Sequence, residues 1–177
     1  MLFVPLCLGY RSPPSRMLSL FVQALFFGDG GILAFGANCF NMAFVLPYVG
    51  YAIYRWIVKL AGGEEKAGEK VRYAAAAVGS YVGINAAAFC AAVEFGIQPL
   101  LFHDGLGNAL YCPYDLSVAI PAMMIPHLAV AGFVEAAFTV AIFAFVRKTA
   151  PDLTYERLRA AAIQEEGQGG KKAYVPV

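Results

Sequence analysis

Long uncharged apolar runs, separated by short polar or glycine-rich stretches, set the pattern of this chain. A helix needs roughly 20 apolar residues to cross a bilayer core of about 30 Å. The first run opens at Met17, after Arg16, and meets Gly28-Asp29-Gly30-Gly31, so a span is expected over 17–35 with its outer end broken by the glycines. The second is uncharged from Gly30 to Tyr54 and closes on Arg55 and Lys59, which predicts a helix over 37–60. Gly62 to Lys70 is short, polar and rich in glycine, the chemistry of a linker. The third run is uncharged between Arg72 and Glu94 and predicts a span over 71–98. Pro99, Gly105, Gly107 and Pro113 mark 99–115 as a loop. The fourth, Leu116 to Val146, carries one charge, Glu135, and is too long for one straight span. Within 116–147, Pro121 and Pro126 are expected to divide it into a short leading helix and a span over 126–147.

The charges orient these spans. Lysine and arginine fall before the first span, between the second and third, and after the fourth; the segments 28–36 and 99–115 hold none. The positive-inside rule then places both termini and the 62–70 linker in the cytoplasm. The expected fold is an all-α, multi-pass bundle of about four spans in the cell membrane. Its transmembrane domain occupies 17–148, between an N-terminal segment, 1–16, and a cytoplasmic tail, 149–177. The tail reads as a short polar helix over 152–166 followed by a disordered glycine- and lysine-rich stretch.

Composition agrees and excludes other classes. Of 177 residues, 60% are hydrophobic and 14% charged, against roughly 45–50% and about 25% in a soluble domain. A net charge of +1 without a basic stripe argues against a nucleic-acid partner. Cys7, Cys39, Cys90 and Cys112 form no CxxC pair, and Cys39 and Cys90 read as small core residues. No HExxH, GxSxG, Walker A or GxGxxG pattern is present, so the chain is not expected to be an enzyme or to bind a cofactor covalently.

Ionisable groups inside a membrane are costly and are candidates for function. Glu94, near the outer end of the third span, either extends to the interface or serves a specific role. Glu135 lies deeper and needs a partner or a polar cavity. His127 follows Pro126 directly; it either hydrogen-bonds a carbonyl freed by the proline or serves as a metal ligand. Asn38 and Asn41 share one helical face, where amides join helices or line a polar site. His103-Asp104 reads as a solvated loop pair that could touch a cation. Gly79 and Gly83 make a GxxxG pair in an alanine-rich span, which permits close helix approach.

Two stretches carry a family resemblance. One runs from Leu20 through Gln23, Ala24 and Leu25 to Gly28-Asp29-Gly30-Gly31, and on through Gly36-Ala37-Asn38 to Asn41-Met42-Ala43. The other is Ala119 to Leu128, with Gly132 and Glu135. Both resemble CbiM, the substrate-binding membrane subunit of energy-coupling-factor cobalt transporters, and its nickel relative NikM. Glu94 is similar in place to a glutamate of that family. The resemblance covers about 17–150. It implies a membrane subunit of ATP-driven Co²⁺ uptake for cobalamin biosynthesis, or of Ni²⁺ uptake. It also implies a transmembrane coupling subunit and ATP-binding subunits as partners. In that family the metal is held by a free amino terminus, a histidine at position two and a further upstream histidine, a nitrogen-rich set suited to Ni²⁺. Here residue two is Leu2 and no histidine precedes His103. The chain therefore resembles the last four spans of a seven-span subunit, and no family ligand carries over to it. A truncated, non-metal-binding membrane scaffold is the alternative expectation.

Overall fold

A computed structural model describes residues 13–26, 32, 34–64 and 66–150. The expectations for the N-terminal segment before Pro13, the 28–31 glycine run and the 152–166 tail helix lie outside the described residues. The described residues are helical apart from connections and one isolated bridge between His103 and Ala109.

Helix α1 is Pro13–Phe26, with Pro13 and Pro14 in its first turn, where a missing N–H breaks no internal bond. Helix α2 runs from Phe35–Asn38 through a π-helical stretch, Cys39–Val45, into Leu46–Leu60. The expected 17–35 span is thus corrected at both ends. The first helix begins earlier, with Pro13 already helical, and is described as far as Phe26; Ile32 and Ala34 lie in turns, and Phe35 belongs to the second helix.

Helix α3 is Glu69–Gly96, close to the expected 71–98. Gly68 precedes it in extended backbone, and Glu69 places negative charge at its positive end. A single turn, α4, follows at Gln98–Leu101. Helix α5 runs from Leu116–Pro126 through a second π-helical stretch, His127–Ala131, to Gly132–Thr149. Asp115 caps it, accepting from the N–H groups of Ser117 at 3.0 Å and Val118 at 3.2 Å.

The expected division of α5 at Pro121 and Pro126 does not occur: the helix is continuous over Leu116–Thr149. The irregular turns around Pro126 give the reason. The N–H of His127 bonds Met124 O, only three residues back. Met123 O is then held by the His127 ring through Nδ1 at 2.7 Å. Inside the π-helical stretch, Leu128 O accepts the Tyr81 hydroxyl of α3 at 2.9 Å. Local bonds and a neighbouring helix thus compensate the disturbed ladder.

Helix α3 is the centre of the bundle, packing against α2 on one side and α5 on the other. Its buried residues are mostly small, Ala75, Ala76, Gly79, Gly83, Ala87, Ala88 and Ala92 among them. A Cβ on Gly83 would lie 2.6 Å from Leu46 O and 3.3 Å from the Cα of Gly50, so α2 and α3 meet backbone to backbone there. Gly132 of α5 seats the edge of the Tyr81 ring, 2.6 Å from where its Cβ would be. Larger residues fill the linker end. Phe143 is buried with the rings of Tyr54 and Tyr73 at 6.3 and 6.0 Å. Arg147 covers that ring and reaches Glu69 at 3.7 Å.

The outside is apolar. Phe133, Phe138 and Phe145 of α5 are exposed, as are Leu18, Leu25 and Phe26 of α1. Two helices, Glu69–Leu101 and Leu116–Thr149, are long and apolar enough to cross a membrane.

A polar pair between the second and third helices

Asn41 stands in the π-helical stretch of α2, and Glu94 stands in the last turn of α3. The packing of these helices brings the two side chains together: Asn41 Nδ2 donates to Glu94 Oε2 at 2.7 Å. Both groups lie toward the end of the bundle away from the 61–68 linker. Asn41 is buried, at 5% exposure. Its Oδ1 has no hydrogen-bond donor among the described residues. Glu94 is half-buried. A hydrogen bond to a carboxylate is roughly twice as strong as a neutral one, and more consequential away from water. The sequence offered Asn41 and Glu94 as separate candidates; their pairing is a property of the fold. Asn38 is half-buried one turn earlier on α2.

The other candidates lie elsewhere. His127 is tied to Met123 O within its own helix, the geometry of a proline-adjacent carbonyl being satisfied. Glu135 is half-buried on α5, and Thr139 Oγ1 donates to its Oε1 at 3.4 Å. Asp104 organises the loop. Its Oδ1 accepts from the N–H groups of Leu106 and Asn108, each at 2.8 Å, and its Oδ2 accepts from Asn108 Nδ2 at 2.9 Å. The Asn108 side chain, followed by these backbone donors, holds the Asp104 carboxyl below its ordinary range. Among the described residues, no three His, Cys, Asp or Glu side chains gather as a metal-binding group.

Two charged residues were not singled out by the sequence. Arg16, counted there with the basic residues at the start of the first span, is buried at 3% exposure. Its Nη1 donates to Ala43 O at 3.0 Å. Pro47 has no N–H to give that carbonyl, four residues back along α2, so the guanidinium serves it instead. The short α1 packs on the π-helical stretch of α2, which sets Arg16 beside Ala43 rather than with Arg55 and Lys59 near the linker. Arg72, at the start of α3, donates to the carbonyls of Ala67 and Glu64 and so fastens the linker. A proline four residues after a carbonyl was the signal available for Arg16; for Arg72 the sequence carried none.

Helices long and apolar enough to span a bilayer and apolar side chains on the outside make this a membrane helix bundle. Its sequence specifies which kind. The chain belongs to the CbiM family: the family model described as the cobalt uptake substrate-specific transmembrane region matches residues 2–153. It is 50% identical over 139 residues to the probable fused nickel transport protein LarMN of Lactiplantibacillus plantarum, a match covering 78% of this chain and 40% of the relative. It is 48% identical over 153 residues to the fused nickel transport protein NikMN of Rhodobacter capsulatus, covering 86% of this chain and 43% of the relative. The chain thus spans about two fifths of the length of these relatives. A crystal structure of a truncated transition metal transporter superposes with a TM-score of 0.74 at 51% identity, covering 82% of this chain and 65% of that one.

Proposed function

We propose that this chain is a membrane subunit of an ATP-driven uptake transporter for Co²⁺ or Ni²⁺. The observation that carries the reading is the CbiM family match along residues 2–153, which takes in every helix described. In this reading the chain crosses the cell membrane four times, with both termini and the 61–68 linker in the cytoplasm. The transported ion is the substrate. A transmembrane coupling subunit and ATP-binding subunits complete the machine and hydrolyse the ATP. Cobalt taken up in this way supplies cobalamin biosynthesis. The nickel reading stands beside it, because relatives at 48% and 50% identity carry nickel in their names. The proposed roles of the candidate residues divide by place. Asn38, Asn41 and Glu94 line a polar site between α2 and α3, whereas His127 and Glu135 stabilise α5 and its packing.

The test is uptake of labelled Co²⁺ and Ni²⁺ by cells that depend on this chain together with its coupling and ATP-binding subunits. Saturable, ATP-dependent uptake that disappears when the chain is deleted is the expected result. Competition between the two ions identifies the preferred one. A deletion strain that accumulates both ions normally would instead favour a scaffold that binds no metal.

A further inference from the structure

We infer that Asn41 and Glu94 form an oxygen-lined way-station at which a partly hydrated divalent cation pauses during transport. The inference rests on the transport reading above and assigns it a place in the bundle. Three observations converge. The Asn41 carboxamide has spent its donor on Glu94, at 2.7 Å, so its remaining polar atom is an acceptor. That acceptor, Oδ1, is buried in a residue 5% exposed and receives no hydrogen bond among the described residues. It belongs to the same amide whose nitrogen touches Glu94, and Glu94 is half-buried. Turning the amide over would set an oxygen against a carboxylate oxygen, so the orientation is dictated by chemistry.

A neighbourhood of one carboxylate and one spare carbonyl oxygen calls for a positive charge. Carboxylate, amide oxygen and water are together a ligand set for divalent ions. Two protein oxygens without nitrogen or sulfur bind a transition metal weakly, since firm binding of Co²⁺ or Ni²⁺ takes imidazole or thiolate. Weak binding suits transit, because a conducting site must release its ion. The position also suits it, at the bundle end away from the linker and half-open at Glu94.

The probe is Co²⁺ alone, added to the purified full chain in lipid nanodiscs and followed by calorimetry and by its visible absorption. The wild-type chain is expected to bind one Co²⁺ weakly, with the faint bands of oxygen coordination. Glu94→Gln is expected to weaken that binding by about tenfold or more. Asn41→Asp supplies the control that separates a cation site from a structural bond. Two adjoining carboxylates repel, so this variant melts lower than wild type when metal-free. A cation site predicts that Co²⁺ restores its melting temperature, by a larger shift than in the wild type. A purely structural Asn–Glu bond predicts a lowered melting temperature that Co²⁺ leaves in place. Wild-type Co²⁺ affinity in Glu94→Gln, or an Asn41→Asp melt insensitive to Co²⁺, overturns the inference. Uptake by the complete transporter is read separately. If the wild-type chain supports no Co²⁺ or Ni²⁺ uptake, the transport reading itself fails. If uptake is present and indifferent to both substitutions, only the way-station fails.

Discussion

At the scale of single residues, this fold depends on where side chains are absent as much as on where they are present. Gly83 faces Leu46 O and Gly50, atoms of a neighbouring backbone that cannot step aside, whereas Gly132 faces side chains of α3, the Tyr81 ring at 2.6 Å and the Asn85 amide at 2.8 Å. Gly83→Ala is therefore expected to destabilise the bundle by about 1–3 kcal/mol and Gly132→Ala by less, read as thermal unfolding in detergent. Asp104 offers a pH test outside the membrane-spanning helices. Its carboxyl titrates below the ordinary value of 3.8 because Asn108 and nearby N–H groups donate to the charged form. The turn is thus fully supported above 3.8 and loses that support as pH falls through the lowered value. The protection of the Leu106 and Asn108 amides against hydrogen exchange, relative to their intrinsic rates, should fall over that interval, and Asp104→Asn should remove this pH dependence. Of the polar pair, the residue types were legible in the sequence and the partnership was not. Asn41 and Glu94 are 53 positions apart, and only the packing of α2 on α3 decides which residues of the two meet.

At the scale of elements, the contrast is between α3 and α5. Helix α3 could be read almost to its ends, since it has no internal proline and charged or glycine residues mark both limits. The course of α5 was misjudged at Pro121 and Pro126, because proline acts on the local ladder while the remedy is partly tertiary. The Tyr81 hydroxyl of α3 and the ring of His127 serve carbonyls in the disturbed region, and neither bond is visible in a hydrophobic pattern. His127→Ala is expected to cost about 0.5–1.5 kcal/mol, the worth of one such bond. Uptake by the complete transporter should keep its KM within about twofold, a margin of roughly 0.4 kcal/mol. A large rise in KM would move His127 from the helix to the substrate path.

For the whole molecule, the proposed topology places the 61–68 linker and the 102–110 loop on opposite faces of the membrane. Single cysteines at Lys66 and Gly105, introduced after the native cysteines are replaced, should label from opposite sides with an impermeant reagent. Labelling of both from one side would refute the four-span arrangement. The all-α class and the membrane setting were legible from uncharged runs alone, because a bilayer demands them of any chain that crosses it. The sidedness was read from the basic residues, and Arg16 shows the limit of that signal. A charge that finds a carbonyl in the protein interior no longer reports on the aqueous phase.

The π-helical stretch of α2 has a consequence for how this sequence can vary in length. Such a stretch holds one residue more than a regular helix would fit into the same turns. Removing one residue between Asn41 and Leu46 would give a tidier helix with a complete ladder. The widened turn already absorbs the extra residue, so α2 before and after it would keep its phase. The change would be local: deleting Phe44 or Val45 would set Met42 O, in place of Ala43 O, four residues before Pro47, and the acceptor that Arg16 now meets would move. The irregularity thus decides which carbonyl the proline leaves open to a side chain from α1.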